Sequence, residues 1–138
     1  MDIRTKEEKI SLYKSLFTGR IDVFAQHWQS VDGKRKGWFP VYTDRNKTAY
    51  TPLSDAVIEN HLRGNIMIGT YPLLTNNTTW FVAVDFDGEG WKAEVQAVFS
   101  VCNKYKLSAY VERSKSGNGA HVWWFFESLY SAAKARSI

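Results

Sequence analysis

Trp80 to Gly90 reads WFVAVDFDGEG, an apolar run that carries Asp85 and Asp87 and closes on a glycine-rich turn. As a strand, its alternation puts Phe81, Ala83, Asp85 and Asp87 on one side and Trp80, Val82, Val84 and Phe86 on the other. The two carboxylates then share a face, about 6.6 Å apart along the strand, within reach of one metal ion or a metal pair. A carboxylate pair removed from water without a cation is costly, because each charge disfavours the other. The stretch therefore predicts a positive partner, and two hard oxygen donors suit Mg2+ or Mn2+.

Downstream, residues 91–105 place Val95, Val98, Phe99 and Cys102 at helical spacing,. Leu107 to Glu112 returns as a strand, Ala120 to Phe126 (AHVWWFF) as another, and Ser128 to Arg136 begins a further helix. Asn118-Gly119 between two extended runs signals a hairpin turn, since both residues tolerate positive φ. On the return strand His121, Trp123 and Phe125 share a side. Paired with the Asp85 strand, it brings His121 to the surface of the aspartates. The turn supplies Ser116, Gly117 and Asn118, flanked by Arg113 and Lys115: hydroxyls, free amides and cations that can nest phosphate oxygens. Alone, the turn reads as a plain hairpin with a solvated tip. Beside two metal-binding acids it suits a metal-bound nucleoside triphosphate.

Upstream, Thr5-Lys6-Glu7-Glu8 is a capping box opening a helix through Ile10, Tyr13, Leu16 and Phe17, with Gly19 as a positive-φ stop,. Asp22 to Trp28 reads as a second short helical piece, in which His27 is a half-buried polar residue rather than a ligand. Ser30 to Tyr50 is a loop or loose hairpin. Its Lys34, Arg35 and Lys36 form the densest basic run, a solvated face or a nucleic-acid contact. Ser54 caps a helix over 55–62 that Gly64 ends, and Ile66 to Tyr71 is a strand before Pro72,. His61 near that helix's C-terminus is explained by the helix dipole.

The chain has 138 residues, enough for one core and few for two comfortable domains,. We expect a single α+β domain over 1–138, with a helical and loop portion at 1–72 and a β-α-β-β-α portion at 73–138. A 15% aromatic content with six Trp is core mass first and a possible set of base-stacking platforms second,. Net charge +4 permits an anionic partner without demanding one,. The single cysteine, Cys102, excludes an internal disulfide and a cysteine-rich zinc site, and falls at a packing position,. With no leader and no run of 18 apolar residues, we expect a cytoplasmic protein with no membrane partner.

The paired motifs FVAVDFD and SGNGAHVW resemble motifs I and II of the archaeo-eukaryotic primase superfamily. LFTGRIDVFAQHW, TPLSDAVIENHLRG, GTYPLLTNNTTWFVAVDFDG and ERSKSGNGAHVWWFFE extend the likeness to the primase domain of TOTE conflict systems, large proteins that join primase and helicase modules. The resemblance implies a catalytic unit related to RNA-recognition motifs. Asp85 and Asp87 would hold divalent metals, and Ser116 and His121 would bind the triphosphate of an incoming nucleotide. Partners would be nucleoside triphosphates and a single-stranded or primed DNA or RNA template, with a fused or associated helicase. Many relatives carry a cysteine-rich insert; its absence here predicts no zinc. The superfamily also uses a third acidic motif on a later strand. The chain is therefore expected to be the front of a longer primase-polymerase, an RRM-like unit lacking its last strand, with little or no polymerase activity alone.

Two rival readings attach to the same residues. FVAVDFDG also fits a haloacid-dehalogenase-type phosphotransferase, in which Asp85 is a nucleophile and Asp87 an acid/base. That class needs a later lysine and an acidic pair, whereas after Glu112 the chain holds only Glu127 as an acid. A non-catalytic RNA-recognition-like module would instead stack bases on Trp123 and Phe125.

Overall fold

Thr5 starts the first helix as a complete capping box: its hydroxyl accepts from the Glu8 N–H at 3.2 Å, and the Glu8 carboxylate accepts from the Thr5 N–H at 2.6 Å. In the computed structural model, which describes residues 3–137, the elements run α1 (Lys6–Leu16), β1 (Ala25–Gln29), β2 (Lys36–Pro40), α2 (Asp55–Leu62), β3 (Ile68–Gly69), β4 (Thr78–Asp87), α3 (Trp91–Tyr105), β5 (Tyr110–Arg113), β6 (Gly119–Ser131) and α4 (Ala132–Ala135). The protein is mixed α+β, with two antiparallel sheets ordered β2-β1-β3 and β4-β6-β5. The chain divides into two compact units, residues 1–77 and 78–138. No helix among the described residues is long and apolar enough to cross a membrane.

In the first unit Ile10, Val23, Phe24, Ile58 and Ile68 are buried. Helix α2 begins at Ser54, whose hydroxyl accepts from the Val57 N–H, and Gly64 follows its end at φ +79°. The segment expected to be helical at Asp22 to Trp28 is instead a strand from Ala25. It is the middle strand of its sheet, pairing with β2 on one side and β3 on the other. Backbone partners brought from distant sequence override a weak local preference. The loose hairpin is a defined one: Ser30 N–H donates to Arg35 C=O at 2.8 Å, and Gly33 takes φ +70° in the turn. Gly19 does not adopt positive φ. Helix α1 closes at Phe17, and Gly19 is required by crowding, since a Cβ there would lie 2.5 Å from the Tyr71 carbonyl oxygen. The expected strand Ile66 to Tyr71 shrinks to Ile68–Gly69.

The second unit follows the expected order β4-α3-β5-β6-α4. One sheet face packs on α3: Val95, Ala120 and Val122 are buried together, with Phe86, Trp91, Val98, Phe99 and Trp124 against them. Cys102 is buried and free, at the packing position its spacing implied. Strand β6 differs from expectation at its end. It runs to Ser131, so Ser128 to Ser131 is strand and only Ala132–Ala135 is helix. The extension pairs Tyr130 with Thr79 and Ser131 with Thr78, past an irregularity between Thr79 and Phe81. Those ladder bonds, with the preference of Tyr130 for an extended surface, outweigh helix initiation at Ser128,.

Candidate active site

Strand β4 is antiparallel to β6 with Asp85 opposite His121 and Asp87 opposite Gly119, and β5 places Glu112 opposite His121 on the other side. Three polar side chains therefore form a row across the sheet, on the face away from α3. His121 Nε2 lies 3.5 Å from Asp85 Oδ1, and its Nδ1 lies 3.5 Å from Glu112 Oε2. Nδ1 is shielded from water yet lacks a hydrogen bond within the described residues. The row is thus a pair of charge contacts, each just outside bonding distance.

The acids are not buried. The Asp85 side chain is 60% exposed and that of Glu112 61%, and Asp87 is exposed as well. The expectation of a desolvated carboxylate pair that needs a cation to be stable is corrected accordingly: water screens both charges. What remains is the placement. Two carboxylates on one open face offer hard oxygen donors suited to a divalent cation, so the donor chemistry fits Mg2+ or Mn2+. No group of three or more His, Cys, Asp or Glu side chains among the described residues is arranged to hold a metal ion.

Gly119 allows Asp87 to lie where it does. A Cβ at Gly119 would stand 2.6 Å from Asp87 Oδ1 and 2.5 Å from the Phe86 carbonyl oxygen. The predicted turn residues sit beside it, in a different conformation from that expected. Positive φ falls on Gly117, at +77°, and not on Asn118 or Gly119. Ser114 N–H donates to Gly119 C=O and Gly117 N–H donates to Ser114 C=O, both at 2.9 Å, so the reversal occupies Ser114 to Gly117. The Ser116 hydroxyl accepts from the Asn118 N–H at 3.3 Å and lies 3.1 Å from the Ser114 hydroxyl. The Arg113 guanidinium donates to Gly117 C=O at 3.1 and 3.3 Å, fastening the turn. Lys115 forms no ion pair with another described residue and extends from an exposed position.

Further along the same face the row gives way to aromatics. Phe81 meets Trp123 and Phe125 with ring centroids 5.7 and 6.1 Å apart, Tyr110 meets Phe125 at 5.8 Å, and the Trp123 and Phe125 planes lie within 3° of parallel.

Asp85, Asp87, His121 and the Arg113 to Asn118 turn are therefore brought together within the second unit. Lys34, Arg35 and Lys36 belong to the first unit, at the β1–β2 turn and the start of β2. Glu112 was not singled out from sequence. The signal for Glu112 was a strand ending beside the hairpin, whose register alone decides that Glu112 faces His121.

A family model of the archaeo-eukaryotic primase domain of the TOTE conflict system matches residues 8–138. No curated protein and no solved structure matches the chain. The matched span takes in β4, β6 and the turn that carry both motifs. The chain belongs to the archaeo-eukaryotic primase domain family of TOTE conflict systems.

Proposed function

We propose that this domain works in primer synthesis or extension: on a template, the 3′-hydroxyl of a growing DNA or RNA strand attacks the α-phosphate of a nucleoside triphosphate, the α–β phosphoanhydride bond breaks, and pyrophosphate leaves. Membership of the family supports a primase-type nucleotidyltransferase at the level of reaction class. The observation that carries the finer reading is the register: Asp85 opposite His121 and Asp87 opposite Gly119, on one open sheet face next to the turn.

In this reading Asp85 and Asp87 hold Mg2+ or Mn2+, which when bound lowers the pKa of the attacking 3′-hydroxyl and offsets charge developing at the α-phosphate. His121 presents Nε2 on the Asp85 side, where the triphosphate would lie, while Glu112 faces Nδ1 and limits the orientations of the ring,. Ser116, the Gly117 and Asn118 amides and Lys115 bind phosphate oxygens, and Arg113 keeps the turn in shape. Two solvent-exposed acids bind metal weakly, so this chain alone is expected to show little or no polymerase activity,. A fused or associated helicase module is part of the same proposal.

The aromatic patch of Tyr110, Trp123 and Phe125 favours one second reading, a non-catalytic strand-binding module,. Template-dependent incorporation by the intact protein separates the two. The primase reading expects incorporation that disappears in Asp85→Ala with Asp87→Ala. Activity retained in that double variant refutes it, and strand binding indifferent to metal and nucleotide supports the module.

A further inference from the structure

The first sheet carries an aromatic and basic surface that the acid row does not use. Pairing of β1 with β2 sets His27 opposite Trp38 and Gln29 opposite Lys36, so these four side chains share one face of the hairpin,. Buried Ile68 lies on the other face, with Gln26 and Phe39. Trp38 is fixed in place: its ring lies against Gly69, where a Cβ would come within 3.4 Å, and meets the His27 ring edge-on with centroids 5.2 Å apart. Even so, Trp38 is 52% exposed. A large ring held by its neighbours and left open to water is a ready stacking plate.

The charges around it have one sign. Lys36 is two residues from Trp38 on the same face, and Lys34 and Arg35 sit in the adjoining turn. None of the three forms an ion pair with another described residue. The one acid of the hairpin, Asp32, already accepts from the Ser30 hydroxyl at 2.5 Å and the Lys34 N–H at 3.1 Å. A fixed aromatic plate edged by unpaired cations complements a ligand that alternates π faces with anions. Single-stranded nucleic acid has that chemistry; a duplex keeps its base faces within the stack.

We propose that the Trp38 face of the β1–β2 hairpin binds single-stranded nucleic acid, with a base stacked on Trp38 beside His27 and phosphates met by Lys34, Arg35 and Lys36. The proposal rests on the primase reading only for which strand, template or primer, is held there.

The test is anisotropy of a labelled oligothymidine with the whole chain, in buffer lacking divalent cation and nucleotide, so that the metal site takes no part. Binding is expected there and should weaken with salt. Trp38→Ala should weaken it roughly 5- to 150-fold, Trp38→Phe should restore most of the loss, and Lys36→Glu should weaken it and lower the salt slope by about one. Unchanged affinity in Trp38→Ala overturns the proposal, and so does heparin binding that Trp38→Ala weakens as much as it weakens the oligothymidine, because heparin has no base to stack. As a check that needs no substitution, a 5-iodouracil oligonucleotide should photo-crosslink the unaltered protein at His27 or within 36–38, and adducts confined to other peptides overturn it too. Incorporation by the intact protein that survives Asp85→Ala with Asp87→Ala, while hairpin binding persists, counts against the primase reading alone. Incorporation present with no effect of Trp38 counts against the hairpin alone.

Discussion

Replacing Gly119 by alanine adds one methyl group at the point where β6 crosses β4. That carbon would stand 2.5 Å from the Phe86 carbonyl oxygen and 2.6 Å from Asp87 Oδ1. The carboxylate can rotate away, but the carbonyl belongs to the strand, so β4 and β6 must separate by about half an ångström or more to reach ordinary contact. Overpacking of this kind costs about 1–3 kcal/mol, which for a domain of this size lowers Tm by roughly 3–12 °C. The same shift moves the Asp87 carboxylate from its place on the face it shares with Asp85. Thermal denaturation and Mn2+ titration calorimetry of Gly119→Ala should therefore show a lower Tm and weaker Mn2+ binding. Gly90→Ala is the control, because its Cβ would meet nothing closer than 3.5 Å. A Gly119→Ala protein that melts with wild type and binds Mn2+ equally well refutes the placement of Asp87 over Gly119.

Ile58 is 1% exposed, and Ile58→Ala should cost about 2–5 kcal/mol,, seen as a lower urea midpoint, whereas Leu62→Ala, at the exposed last position of the same helix, should change it less. Glu112→Ala should leave Tm within about 2 °C of wild type, since exposed charge contacts contribute little, yet reduce incorporation by the intact protein about tenfold through a less constrained His121; unchanged incorporation removes Glu112 from the mechanism. Stability should also fall in acid. The Arg20 guanidinium holds Asp22 below the usual carboxylate range, the Ser30 and Thr48 hydroxyls do the same for Asp32 and Asp44, and Arg63 for Glu59. A lowered folded pKa contributes stability that is fully present above the unfolded value near 4 and is lost as pH falls through the folded values. Tm should then be level down to about pH 5 and decline below about pH 4, and a Tm that rises in that window contradicts these assignments.

The helices announced themselves because their signals are local. Thr5 with Glu8, and Ser54 with Gly64, satisfy or release backbone groups within a few residues, and no distant partner has to be known,. The strand that carries Asp85 was legible for the same reason, since alternation fixes which side chains share a face. Trp28 illustrates the opposite case. Whether Ala25–Gln29 is helix or strand depends on Pro40 and Gly69 arriving as its neighbours. The continuation of β6 through Tyr130 likewise depends on Thr79 across the sheet. The placement of Asp85, Asp87 and His121 on one face was readable from parity, while that of Glu112 was not, because its position is set by register with β6. Exposure of the acids was also beyond reach, since burial follows from what other segments cover.

Strand β6 lies between β5 and β4, and its two neighbours join it at very different separations along the chain. The β5–β6 hairpin closes through a tight turn, so His121 meets Glu112 by a local event on the microsecond scale,. Asp85 reaches His121 only after the chain has closed a loop containing all of α3 and β5, a slower step with a larger entropic cost. The row is thus assembled in two stages, with the acidic strand last. Any ligand that binds only when Asp85 and Asp87 lie beside β6 would favour the docked strand by mass action.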